Sequence, residues 1–180
     1  KQGSVVPAIS TDSGNYWKFS FDGDEGATVA AGGNVMSLLD PTCQSREIGE
    51  YGLYSLFGDC ARLVSAPRID ADVVMRNGCA GMFIWCTSLT TAPFIGAGDK
   101  FESYAFCSMF SNAGALNEMT VGFTKWNGVY PTYYWVENVA PFGVFHCPSE
   151  LPIVVDRDHI PVGWIVFKKF SIPAIEGVKH

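Results

Sequence analysis

Hydrophobic positions along this chain recur with a long, nearly constant period. LFGDCARLVSAP occupies Leu56 to Pro67, MFIWCTSLTTAP occupies Met82 to Pro93, and a weaker copy, MFSNAGALNEMT, starts at Met109. Phe57, Phe83 and Phe110 are spaced by 26 and then 27 residues. Leu63, Leu89 and Leu116 keep that spacing, as do Cys60, Cys86 and Ala113. A fixed period of this size marks a solenoid, in which each unit buries its apolar side against the next.

Two periodicities alternate within each unit. In EIGEYGLYSLFGDC, DADVVMRNGCAGMFIWC and DKFESYAFCSMFSNA, the pairs Tyr54 and Phe57, Cys79 and Phe83, and Phe106 and Phe110 sit three or four residues apart. That spacing predicts one face of a short helix or helical turn. LVSAP and LTTAP are short, rich in Val and Thr, and stopped by Pro67 and Pro93, which predicts strands on a parallel ladder. The expected fold is therefore α/β, a short repeat solenoid of parallel strands with helical crossovers between β caps.

The flanks supply the caps. Tyr16, Lys18 and Ser20 alternate with Trp17, Phe19 and Phe21, the period of a half-buried strand. DGDEG at Asp22 to Gly26 predicts a turn and Ala27 to Ala31 a second strand, together a hairpin. After Thr120 the repeat gives way to a loop, an aromatic stretch, and two apolar runs, GVFHCPSELP and IPVGWIVF, separated by Asp156, Arg157 and Asp158. The expected organisation is a leader or linker over 1–14, an N-terminal β cap over 15–46, repeats over 47–121, and a C-terminal β cap and tail over 122–180.

Composition narrows the function classes. The chain has 180 residues, 48% hydrophobic and only 17% charged, so it buries a substantial core. A net charge of −6 leaves no basic stripe for phosphates, and nucleic acid and anionic membrane surfaces are both disfavoured. No apolar stretch approaches the roughly 18 residues that a membrane-spanning helix needs, and KQGSVVPAIS lacks the apolar core of a signal peptide. Sparse surface charge is compatible with a homo-oligomer, in which apolar surface is hidden.

Candidate chemistry is thin. His146 and Cys147 are adjacent, but neighbours on a strand point to opposite faces, so imidazole and thiol do not meet. His159 lies in a turn, and the three histidines show no paired spacing for zinc. Asp22, Asp24 and Glu25 offer a start on a calcium shell but lack the loop pattern of such sites. Phosphate loops and nucleophile elbows are missing, so neither an enzyme nor a cofactor is expected. Cys60 and Cys86 would stack on successive strands, close enough for a disulfide, yet Ala113 at the third position favours simple packing. Six candidate contact residues remain: Trp85, Trp126, Tyr130, Tyr133, Tyr134 and Trp135. Exposed Tyr and Trp supply rigid contact area, although bulky capping residues also belong in a core.

The repeat core, MFIWCTSLTTAP after LFGDCARLVSAP, resembles the BspA-like leucine-rich repeats. FSFDGDEGATVAAGGNVMSLL is similar to the segment that precedes such repeats in surface proteins of gut bacteria, and GVFHCPSELP with IPVGWIVF to the segment that ends them. The chain departs from the pattern where RIDADVV and FIGAGDK replace the usual short Leu-Pro run, and where the third copy lacks its cysteine and proline. The resemblance implies a curved solenoid and a non-catalytic binding or adhesion module on a bacterial exterior surface, recognising a host protein or glycan. Similar repeats in phage genes imply an alternative, a virion or tail-fibre component used in assembly or host attachment.

Overall fold

A computed structural model describes residues 4–10, 14–20, 26–42, 44–96 and 98–169. The acidic turn Asp22 to Glu25, Cys43 and the tail beyond Lys169 lie outside the described residues. Among the described residues ten short strands form four sheets: β1 (Ser4–Ser10), β2 (Gly14–Ser20), β3 (Val29–Ala30), β4 (Glu47–Ile48), β5 (Leu63–Ser65), β6 (Val73–Val74), β7 (Lys100–Phe101), β8 (Glu118–Thr120), β9 (Val144–Pro148) and β10 (Ile165–Lys169). Helix is confined, among the described residues, to one 3-10 turn at Val35–Leu38, whose first turn is capped by the Asn34 side chain accepting from the Met36 N–H. The expected α/β fold with helical crossovers is thus overturned: the described chain is mostly β, in short parallel sheets.

Parallel ladders stack the chain on itself, with one register shift, between Val29 and Ala30 where β3 meets β5. Glu47 and Ile48 pair with Val73 and Val74, which pair with Lys100 and Phe101. Ile69 bridges to Ile95 and Ile95 to Val121, and β8, β9 and β10 line up as Glu118, Val144 and Ile165. Each step along a ladder is one coil. Apolar members of these rows, Ile48, Val74 and Phe101 in one and Ile69, Ile95 and Val121 in another, are buried in a single core. Leu63, Leu89 and Leu116 occupy equivalent places in that core, each donating its N–H to the carbonyl three residues back, at Cys60, Cys86 and Ala113.

A ladder of β-turns stands where helices were expected. Over Gly49 to Cys60, alternate N–H groups close four-residue turns within the coil, as from Tyr54 to Tyr51 and Gly58 to Ser55. The N–H groups between them reach the next coil: Leu53 to Gly78, Ser55 to Ala80, Phe57 to Met82, Asp59 to Ile84. An α-helix would keep all of these donors inside itself. Here half of them tie coils together, and Gly49, Gly52, Gly58, Gly78 and Gly81 weaken the competing helix. Every fourth residue takes positive φ: Tyr51, Ser55 and Asp59; Asn77, Gly81 and Trp85; Tyr104, Ser108 and Asn112. That four-residue rhythm places Phe57, Phe83 and Phe110 inward with the same spacing a helix would give.

The turn ladder also runs past residue 121, into the stretch read as a closing cap. Tyr130, Tyr134 and Asn138 repeat the positive φ values, and Phe106, Ser108, Phe110 and Asn112 donate to the carbonyls of Pro131, Tyr133, Trp135 and Glu137. A fourth coil is therefore present. At the other end the expected hairpin is not formed. β2 pairs antiparallel with β1, in the stretch read as a leader, while β3 joins β5 in parallel. Coil one captures β3 because the Val29 and Ala31 N–H groups find carbonyl partners at Arg62 and Ser65. Phe19 closes the core above Phe57.

The five described cysteines pack as thiols. Cys60, Cys79, Cys86, Cys107 and Cys147 are all free. Cys60 Sγ donates to the Phe19 carbonyl at 3.2 Å and Cys86 Sγ to the Phe57 carbonyl at 3.1 Å, so each thiol bonds to the coil before it. No helix among the described residues is long and apolar enough to cross a membrane.

Candidate functional site

Four tyrosines gather on the turn-ladder side of coils three and four. Tyr104 and Tyr130 hold the same ladder position, with φ of 60° and 50°, and the register sets their rings face to face at 6.2 Å and 26°. Tyr133 stands edge-on to both, 6.2 Å from Tyr104 and 5.8 Å from Tyr130. Tyr134 follows at 4.0 Å from Tyr133. Tyr130 is 61% exposed, and the other three are half-buried. A hydrogen bond with the Tyr134 side chain raises the Tyr133 phenol above its ordinary value, with desolvation adding to the effect. Tyr133 therefore stays a neutral hydrogen-bonding group at physiological pH.

Residues 154–160 fix one edge of this surface. Asp158 Oδ1 accepts the Tyr134 N–H at 2.7 Å, standing in for the carbonyl that a further coil would supply. The Asp158 N–H in turn bonds to Asp156 Oδ1 at 2.8 Å. Arg157 lies over the Tyr134 ring with its guanidinium carbon 4.0 Å from the centroid. Glu137 and Asp158 flank it at 4.0 and 3.9 Å. The result is an aromatic surface rimmed by one cation and two carboxylates, a composition suited to stacking and hydrogen bonding with a ligand.

The six sequence-predicted residues divide. Tyr130, Tyr133 and Tyr134 come together. Trp135 is fully buried, with its ring near Phe106, Phe110 and Phe123 and its indole N–H on the His159 carbonyl at 2.6 Å. Trp126 is half-buried against Phe123, Trp135 and the His159 ring, and donates to the Pro152 carbonyl at 2.9 Å. Both tryptophans are pieces of core, since their indoles fill the space beneath the last coil. Trp85 is 51% exposed at a positive-φ position one coil earlier, and no ring contact among the described residues joins it to the tyrosines.

Tyr104 and Arg157 escaped the sequence reading. Tyr104 could have been found by counting 26 residues back from Tyr130, had the fourth coil been recognised. Arg157 carried no signal beyond its place in a charged turn.

The histidines and their neighbours take structural places. His146 points outward beside Phe167, ring centroids 5.5 Å apart, while Cys147 is buried on the opposite face. His159 is held by Asp156 at 2.8 Å and packs edge-on to Trp126, which makes it a part of the loop's scaffold. Among the described residues no three His, Cys, Asp or Glu side chains gather as metal ligands. No protein-family model, no curated protein and no solved structure matches the chain.

Proposed function

We infer that this chain is a non-catalytic recognition module that works at a bacterial exterior surface and contacts a host protein or glycan through its tyrosine cluster. The observation that carries this reading is the convergence of Tyr104, Tyr130, Tyr133 and Tyr134 from two coils onto one accessible surface. Tyrosines held by a rigid ladder lose little entropy on binding, and such residues dominate contact energetics elsewhere. The exterior placement rests on the resemblance of the repeat core to BspA-like surface proteins. Free thiols are compatible with it, because burial raises the thiols of Cys60, Cys79 and Cys86 and suppresses the reactive thiolate.

The test is binding of the intact chain to arrayed host glycans and to host-cell surface proteins, repeated with Tyr130→Ala and Tyr133→Ala. Loss of about tenfold or more in affinity with either variant supports the reading. Binding that both variants retain in full contradicts it.

A second reading, a component of a phage particle, draws support from β10, which among the described residues is the outer strand of its sheet. Edge strands invite pairing with another chain. Mass measurement in solution separates the two readings: a monomer at high concentration favours the recognition module, and an ordered oligomer favours the particle.

A further inference from the structure

A second surface lies on a different side of coil four, where the strand Val144–Pro148 rather than the turn ladder faces outward. Parallel register sets Glu118, Val144 and Ile165 in one outward row across β8, β9 and β10, and Thr120, His146 and Phe167 in the next. The rows alternate with buried Met119, Phe145 and Cys147. A cavity of about 620 Å³ opens over the first row, with Phe142 as one wall. Gly143 and Gly163 both line it, and neither tolerates a side chain. At Gly143 a Cβ would clash with the Asn117 carbonyl oxygen, and Gly163 has a φ of 87°.

The chemistry of this groove is asymmetric. One end is apolar and accessible, with Phe142 77% and Ile165 62% exposed beside Val144. The other end carries the Glu118 carboxylate, which forms no ion pair with a lysine or arginine among the described residues. Its partner is the Thr91 hydroxyl at 3.4 Å. Strand spacing separates the two ends by roughly 10 Å, the reach of a few extended residues.

We propose that this groove binds an extended, basic and apolar peptide segment of a partner protein, seating an apolar side chain between Phe142 and Ile165 and a lysine or arginine at Glu118. A neutral sugar would leave the carboxylate without its charge partner, and an acidic segment would be repelled by it. The site is separate from the tyrosine cluster, and either stands without the other.

The test uses the full chain labelled with nitrogen-15 and a short acetylated, amidated peptide of alternating leucine and lysine. The expected result is saturable shifts at the amides of Gly143, Val144, Gly163 and Ile165. Glu118→Gln weakens binding about two- to fivefold, the range of an exposed ion pair, and Phe142→Ala weakens it about fivefold or more. Glu118→Lys transfers preference to the matching leucine–glutamate peptide, a gain that a folding defect does not produce. The proposal is overturned if the lysine peptide moves none of these amides, if the glutamate peptide binds the unaltered chain as tightly, or if only a neutral oligosaccharide moves them.

Discussion

Phe57 and Phe83 lie 26 residues apart in sequence yet stack with ring centroids 5.4 Å apart and planes within 8° of parallel. Phe83 meets Phe110 in the same way, at 5.5 Å and 7°. The backbone beneath them is tied in the same register, from the Phe57 N–H to the Met82 carbonyl and from the Phe83 N–H to the Met109 carbonyl, at 2.9 and 2.8 Å. Side-chain stack and hydrogen-bond ladder therefore reinforce each other, and neither forms until two coils are in place.

Phe83, flanked on both sides and fully buried, is the most demanding site in this stack. Phe83→Ala removes two ring contacts and leaves a cavity, which costs about 3–5 kcal/mol. Urea denaturation shows this as a lowered midpoint. Phe19 contacts the stack from one side only, so Phe19→Ala costs less.

Trp85 is a bulky residue at φ of 61°, on a ladder column shared with Asp59, Asn112 and Asn138. Asparagine and aspartate tolerate this conformation, whereas a large side chain is strained by about 1–2 kcal/mol. Trp85→Asn is therefore expected to stabilise the chain by about 1 kcal/mol, seen as a higher thermal midpoint. A drop would show that Trp85 packs more productively than its half-exposed indole implies.

Much of this was legible in the sequence, and the failures have physical causes. The 26- and 27-residue spacing of Phe57, Phe83 and Phe110 located three coils correctly, because identical columns keep identical side chains. The helices were misread because a turn ladder with period four throws residues inward at the same intervals as a helix turn. What separates the two is the column of αL positions, and Tyr51, Tyr104 and Trp85 conceal it where Asn or Gly would have shown it. Coil four was missed because its columns change chemistry, Phe to Val at Val136 and Met to Trp at Trp135, while the backbone pattern persists. The same change hid the sorting of the aromatics. Residue type alone does not distinguish Trp135, which fills the core, from Tyr133, which faces out of it.

Tyr130 and Trp135 make that sorting measurable. Tyr130→Ala leaves folding stability within about 0.5 kcal/mol, as at an exposed position. Trp135→Ala costs about 3–5 kcal/mol through the cavity it leaves, with the His159 carbonyl losing its donor as well. Equal losses in a denaturation experiment would place both residues in the core.

Stability should also depend on pH in a definite direction. Burial pushes the Cys60 thiol up to about 11 and raises Cys79 and Cys86 further, whereas thiols of the unfolded chain ionise near about 8.5. Above that pH the unfolded chain has lost protons that the folded chain keeps. The thiols' stabilising contribution is therefore complete below about pH 8.5 and is lost as pH rises toward and through the folded values. Urea midpoints fall between pH 8.5 and 11, and Cys60→Ala flattens part of that fall. A slope unchanged by Cys60→Ala would show that the thiol is not shielded as described.

The stacking of coils through turns rather than helices is tested most directly by scalar couplings across hydrogen bonds in solution. Correlations are expected from the Phe57 nitrogen to the Met82 carbonyl carbon and from the Phe83 nitrogen to the Met109 carbonyl carbon. Correlations from Phe57 to Leu53 and from Phe83 to Cys79, the partners an α-helix would use, would contradict it.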